Sequence, residues 1–212
     1  MHTACYPDWH YTPLQIDNLE QIRSELEHLF NDLYTPGQPV TFINFDHNTK
    51  HWQRLLALQQ WLDNTNRARD RWINCYFSAS QNGLCPIHVD YTSEHKFLAI
   101  NIPVLNCDNS WIAWYDTNIE VNNPIKAVQR GNNTNELVIF DEHTYQDVMV
   151  TPQSFWCDQE HAREIDRASC DQPMMINNTV PHRPIVAHDR LRVMFSLRLT
   201  PASFEHDVMP FL

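Results

Sequence analysis

Glycine is almost missing from this chain: Gly37, Gly83 and Gly131 are the three in 212 residues, and they stand far apart. A phosphate-cradling P-loop and a G-x-G-x-x-G dinucleotide turn both need clustered glycines, so nucleotide enzymes of those two types are excluded. Long apolar runs are missing too, since no stretch reaches the ~18 residues of a membrane helix. The opening MHTACYPDWHYTP has no basic region followed by an apolar core, so the expectation is a cytoplasmic protein with no membrane contact. Cys5, Cys75, Cys85, Cys107, Cys157 and Cys170 form no C-x-x-C pair, which argues against a structural zinc site and for reduced thiols. Cations are scarce, 15 Lys+Arg against 26 Asp+Glu for a net charge of −11. Nucleic acid is therefore a disfavoured partner, because such binding draws its free energy from Lys and Arg placed on phosphates.

What is present suffices for one domain. A chain of this length buries roughly 70% of the surface its unfolded form exposes, and 42% of the residues are hydrophobic. We read residues 1–212 as a single unit: a helical leader with one short strand (1–70), a β-rich core (71–200) and a tail (201–212). In the leader, Leu19, Ile22, Leu26, Leu29 and Phe30 recur at helical spacing, with Asp17 as the N-cap and Glu20 at the capping-box position. TPGQP (35–39) stops this helix, VTFINF (40–45) reads as a strand, and a second helix carries the stripe Trp52, Leu55, Leu56, Gln59 and Leu62 from a cap near Asn48. Beyond Arg71 the period becomes alternating. Short strands are expected at RWINCYFSA, KFLAINIPV, SWIAWYD, ELVIF, QDVMV, PMMINN and RLRVMFSLRL. So many short strands after a helical leader indicate a mainly β fold, an antiparallel jelly roll or barrel. Asparagine, which tolerates left-handed backbone, takes the turn positions that glycine would fill.

Twelve histidines are many for this length. His88-x-Asp90 places two metal-capable side chains on one side of an extended segment, although chance alone supplies roughly one or two such matches in a chain this rich in His and acid. The far end of the chain raises its value. His182 opens a segment leading to a strand on which Val193, Phe195, Leu197 and Leu199 share one face, and Arg192, Met194, Ser196 and Arg198 the other. Buried arginines need an anion. If the second face points inward, it calls for a carboxylate; at a sheet edge it would simply face solvent.

His88-x-Asp90, a distant His182 and Arg192 ten residues later resemble the signature of the Fe(II)/2-oxoglutarate-dependent dioxygenases, over most of 71–199. The resemblance implies a double-stranded β-helix, with His88, Asp90 and His182 as ligands of Fe(II) and Arg192 as the clamp for the far carboxylate of 2-oxoglutarate. It implies a hydroxylase that converts 2-oxoglutarate and O₂ to succinate and CO₂ while oxidising a C–H of an amino acid, peptide side chain or other small substrate. His188, ten residues before Arg198, offers a second register. His182 is preferred because it follows the strand PMMINN, whereas His188 lies in the polar turn AHDR with little rigid support.

Asn101, Tyr115 and Ser196 are further candidates for the 2-oxoglutarate carboxylate. A backbone-satisfied amide is an equally simple reading of Asn101, and cross-strand packing an alternative for Tyr115. Tyr76, Phe97 and Trp114 are candidate pocket walls, or plain core. His95, His143 and His161 have no assigned role, and 157–169 reads as a solvated connector, with a loop or short helix over the site as the alternative. Two other functions compete with the hydroxylase: a non-catalytic metal-binding or structural jelly roll, which would need no carboxylate clamp, and a nucleic-acid demethylase. The latter would show a basic groove and a base-stacking lid, and Met194 and Ser196 stand where its R-x-N-x-T-x-R strand would have Asn and Thr.

Overall fold

The computed structural model describes residues 9–34, 42–45, 49–64, 72–80, 83–84, 86–90, 98–124, 128–130, 137–139 and 154–199, some strand positions by backbone alone. The TPGQP stop, the QDVMV strand, Phe97, His95, His143 and the tail lie outside the described residues, as do the side chains of Asp90 and Arg198.

The described residues form fifteen strands and two α-helices, the helices both before β3. The leader holds β1 (Tyr11–Pro13), α1 (Leu19–Leu33), β2 (Phe42–Phe45), a 3₁₀ turn (Trp52–Arg54) and α2 (Leu56–Asn64). The core follows with β3 (Trp72–Ser80), β4 (Gly83–Leu84), β5 (His88–Asp90), β6 (Leu98–Leu105), β7 (Ser110–Asp116), β8 (Ile119–Pro124), β9 (Val128–Arg130) and β10 (Leu137–Ile139). It ends with β11 (Ser154–Cys157), β12 (Arg163–Ser169), β13 (Met174–Asn177), β14 (His182–Val186) and β15 (Arg192–Leu199). One antiparallel sheet has the order β1-β13-β6-β15-β3-β2, and a second the order β12-β7-β14-β5-β11-β8 with β4 beside β14. Facing each other, they form a double-stranded β-helix, as the alternating pattern predicts. The leader is less separate than expected, since it supplies both edge strands, β1 and β2, of the first sheet.

The helices cover the outer face of that first sheet. Ile22, Leu26, Leu29 and Phe30 of α1 and Leu58, Trp61 and Leu62 of α2 pack on Phe77, Ile100, Val193, Phe195 and Leu197. Val193, Phe195 and Leu197 are 0% exposed, and burial of each contributes roughly 1.5–3 kcal/mol. Truncating Phe195 to alanine would cost about 3–5 kcal/mol. The apolar face read from alternation is therefore the helix-covered one, and the face of Arg192, Met194 and Ser196 looks between the sheets. Met194 meets Ala99, Ile112, Trp114, Met174 and Ile176 there.

Local details correct three expectations. The N-cap of α1 is Asn18, not Asp17: its φ of 59° is left-handed, and no side chain caps the helix. Entering from that conformation removes the extended cap geometry that would aim an oxygen at the first-turn N–H groups, and Glu20 pairs instead with Arg23 at 3.3 Å. In the second helix Leu56 is 66% exposed while Ala57 and Leu58 are buried, because the 3₁₀ turn at Trp52–Arg54 shifts the helical phase. The start of α2 is capped from α1, whose Glu25 carboxylate accepts the Ala57 N–H at 3.0 Å. Finally, Arg163–Ser169 is a strand paired with β7, not a connector. The asparagine expectation holds: Asn18, Asn106 and Asn109 are the non-glycine residues with positive φ among those described. No helix of the described residues is long and apolar enough to cross a membrane.

Candidate metal and 2-oxoglutarate site

Two histidines far apart in sequence meet between the sheets. β5 and β14 pair antiparallel with His88 directly opposite His182, and His182 is in turn opposite Trp114 of β7. Directly opposed residues point to the same side of a sheet, and Trp114 packs in the interior, so both imidazoles face inward. Their ring centroids are 4.7 Å apart at 46°. Each ring is oriented by the same device: His88 Nδ1 donates to the Pro86 carbonyl and His182 Nδ1 to the Val180 carbonyl, both at 2.8 Å and both two residues upstream. A carbonyl only accepts, so Nδ1 holds the proton and the lone pair of each neutral ring lies on Nε2.

Asp90 closes β5 two residues after His88, which by strand alternation places it on the histidines' face. Val89 between them is wholly buried in a separate cluster on the far face. Among the described residues no group of three metal-capable side chains is assembled; the Asp90 carboxylate is not among those side chains. His188 lies elsewhere, its Nε2 donating to the Asn106 carbonyl at 3.0 Å beside the β6–β7 turn. The strand pairing thus brings His182, and not His188, to His88.

Arg192 is 2% exposed. Its Nη2 donates to the Cys170 sulfur at 3.4 Å, its Nε has no partner, and no carboxylate pairs with it among the described residues. Burial works against its charge, while Cys170, Cys107 and Tyr76 favour it, and the guanidinium stays above its ordinary range. Cys107 gives this support only as a thiolate, yet burial pushes its thiol up despite the pull of Arg192. A neutral thiol neutralises nothing. Among the described residues nothing therefore compensates this buried cation, a costly arrangement in the absence of an anion.

One row of polar groups crosses the sheet beneath it. Ser196 is opposite Asn101 on one side and Tyr76 on the other, all three on the interior face. Asn101 is 6% exposed and Ser196 3%, and Ser196 Oγ has no hydrogen-bond partner. Tyr76, read from the sequence only as a pocket wall, joins the polar row because it alternates with the helix-facing Cys75 and Phe77.

Tyr115 corrects an expectation. It belongs with Val89 and Ala113 to the cluster on the far face of the second sheet, turned away from Arg192. Its hydroxyl accepts from Arg183 Nε at 2.9 Å and donates to Glu164 at 3.4 Å. Trp114, one residue earlier, is the interior one, with His10 and Tyr11 stacked near it at 5.6 and 5.4 Å. His161 is exposed and bonded to Asp158 at 2.8 Å, far from metal chemistry in character. A groove of about 400 Å³ between α1 and the β6–β7 turn is lined by Glu20, Arg23, Glu27 and Asp108, and by none of His88, His182 and Arg192.

The residues fit a ferrous ion and an α-keto diacid. Two imidazoles bound through Nε2 at right angles, at about 2.1 Å, would put their centroids about 4.5 Å apart, close to the 4.7 Å observed. Nδ1 bonded to a carbonyl is the usual partner arrangement of a ligating histidine. The orphaned Arg192 Nε and Ser196 Oγ supply donors for a carboxylate.

No protein-family model matches the sequence, and no curated protein matches it significantly. Among solved structures it is similar to SnoK, a non-heme alpha ketoglutarate dependent carbocyclase from nogalamycin biosynthesis, with 10% identity, a TM-score of 0.47, and coverage of 91% of this chain and 80% of that one. HygX from Streptomyces hygroscopicus, with nickel and 2-oxoglutarate bound, gives 13%, 0.45, 91% and 82%. A Pseudomonas putida prolyl-4-hydroxylase gives 8%, 0.47, 92% and 94%. The chain is thus similar to these three proteins over about nine-tenths of its length, at identities and TM-scores too low to assign it a reaction.

Proposed function

We propose that this protein is an Fe(II)/2-oxoglutarate-dependent oxygenase that hydroxylates a C–H of an amino acid, peptide side chain or other small substrate and turns 2-oxoglutarate and O₂ into succinate and CO₂. The observation that carries the reading is Arg192, a buried guanidinium with no carboxylate partner among the described residues, in the same interior as two inward histidines whose Nδ1 atoms are both fixed on backbone carbonyls. A non-catalytic metal site has no use for that charge.

His88, Asp90 and His182 would hold the metal through two neutral imidazoles and one carboxylate, a set suited to Fe(II) with open positions. When bound, iron and 2-oxoglutarate supply the oxidising chemistry for the C–H bond. Arg192 would pair with the far carboxylate, Ser196 would donate a hydroxyl hydrogen bond to it, and Asn101 beside Ser196 would add an amide N–H. The carbonyls of Pro86 and Val180 keep protons off Nε2, so the ligating nitrogens are set before metal arrives. The sheets around Trp114 and Met194 exclude water and hold the reactants in place.

Anaerobic titration with 2-oxoglutarate, with and without Fe(II), tests this. Binding should depend on Fe(II), and slow succinate release should follow admission of O₂. Iron binding that leaves 2-oxoglutarate unbound would point to the non-catalytic alternative.

A further inference from the structure

Among the described residues, Asn178 is a wholly buried carboxamide, 0% exposed, whose Oδ1 and Nδ2 both lack a hydrogen-bond partner. Burying both groups gives up water's hydrogen bonds with nothing in return, and so works against folding. The neighbouring Asn177 behaves in the opposite way. Its Oδ1 accepts from the Thr179 N–H at 3.0 Å and hydroxyl at 2.7 Å, and its Nδ2 donates to the Trp9 carbonyl at 3.3 Å. The β13–β14 turn is held by Asn177, which leaves Asn178 with no bond of its own in that turn.

Its position is informative. Asn178 is the first residue after β13, on which Met174 and Ile176 pack between the sheets, and it precedes His182 by four residues. Trp114, opposite His182, donates Nε1 to the Asn177 carbonyl at 3.4 Å, tying this turn to the histidine level. Asn177 pairs with Leu98 at one end of β6, whereas Val193, next to Arg192, pairs with Leu105 at the other. Asn178 and Arg192 therefore stand at opposite ends of the interior. With 2-oxoglutarate reaching toward Arg192, the end at Asn178 is left for the second reactant.

Among the described buried polar side chains Arg192 is the only fixed charge, and it lies at the far end. The described charged groups nearest the turn, His10 beside Trp114 and its partner Asp166, are bonded to each other at 2.8 Å, so among the described residues no buried charge awaits a substrate carboxylate or ammonium beside Asn178. A primary amide offers one acceptor and one donor side by side, which a second amide complements with two reciprocal N–H···O bonds. We infer that Asn178 is a specificity-determining residue that receives an amide of the substrate, either a peptide bond or a side-chain carboxamide. This deepens the oxygenase reading and rests on it for the identity of the reaction.

Asn178→Leu, similar in size and apolar, provides the test. In the ligand-free protein the midpoint of thermal unfolding should rise by about 2–4 °C, since an unmet polar group is removed; a fall of that size would make Asn178 a structural residue and overturn the inference. The second readout is anaerobic calorimetry with Fe(II), 2-oxoglutarate and a set of N-acetylated, C-amidated dipeptides. The unsubstituted protein should bind members of the set, and Asn178→Leu should weaken that binding tenfold or more with Fe(II) and 2-oxoglutarate affinity unchanged. Equal peptide binding by both proteins, or none by a protein that still binds iron and 2-oxoglutarate, overturns the amide contact and leaves the oxygenase reading standing. If the unsubstituted protein binds neither iron nor 2-oxoglutarate, the oxygenase reading fails, and the same peptide titration on the metal-free chain decides the amide contact alone.

Discussion

His88 and His182 are opposed residues of β5 and β14, and each fixes its Nδ1 on the carbonyl two residues upstream, at Pro86 and Val180. The nitrogen left free on each ring, Nε2, is thus chosen by backbone geometry. Strand pairing sets the separation of the rings, and the two carbonyls set their tautomers, so little reorganisation is left for metal binding to impose.

Arg192→Met separates a clamp from a structural arginine. Removing a buried charge that has no carboxylate partner among the described residues should stabilise the ligand-free protein, by about 1–4 kcal/mol in denaturant unfolding. Affinity for 2-oxoglutarate should fall by about 2–5 kcal/mol in calorimetry. A destabilised variant with unchanged affinity would show that Arg192 serves the fold.

Tyr115→Phe tests the face assignment. The variant loses the bonds to Arg183 and Glu164 and should be less stable by about 1 kcal/mol. Its affinity for 2-oxoglutarate should match the parent's. A large loss of affinity would return Tyr115 to the interior.

Glu164 gives a pH signature of the β12 edge. The hydrogen bond from Arg167, at 2.7 Å, holds its carboxyl below the ordinary glutamate range. A depressed folded-state pKa contributes stability that is present above the unfolded-state value and lost as pH falls through the folded-state value. Both partners are more than a third exposed, so solvent screening keeps the contribution under about 1 kcal/mol. Unfolding curves of Glu164→Gln should lie slightly below the parent's at pH 7 and converge with them on acidification below the glutamate range. A gap that persists in acid would have another origin.

Alternation along RLRVMFSLRL reveals which face of β15 is apolar and that Arg192 needs an anion, because a period of two survives wherever one face is packed by helices and the other lies between sheets. The same logic brought Asn101 and Ser196 inward. It could not orient Tyr115, because Trp114 and Tyr115 are both buried and both aromatic; only pairing with His182 tells which looks inside. The strand Arg163–Ser169 escaped notice since this exposed edge carries charges at four of its seven positions, on both faces, which erases the alternating signal. The α2 stripe slipped because a 3₁₀ turn is not visible as a change of composition. Asn178 read as the last residue of the strand PMMINN, and only burial without a partner distinguishes it.

The central claim is that His88, Asp90 and His182 converge on one metal. Anaerobic equilibrium dialysis against Fe(II) tests it directly on the parent chain, His182→Ala and His188→Ala. The expected result is one iron per chain for the parent and for His188→Ala, and none for His182→Ala at the same free iron. Retention of iron by His182→Ala together with its loss from His188→Ala would contradict the claim.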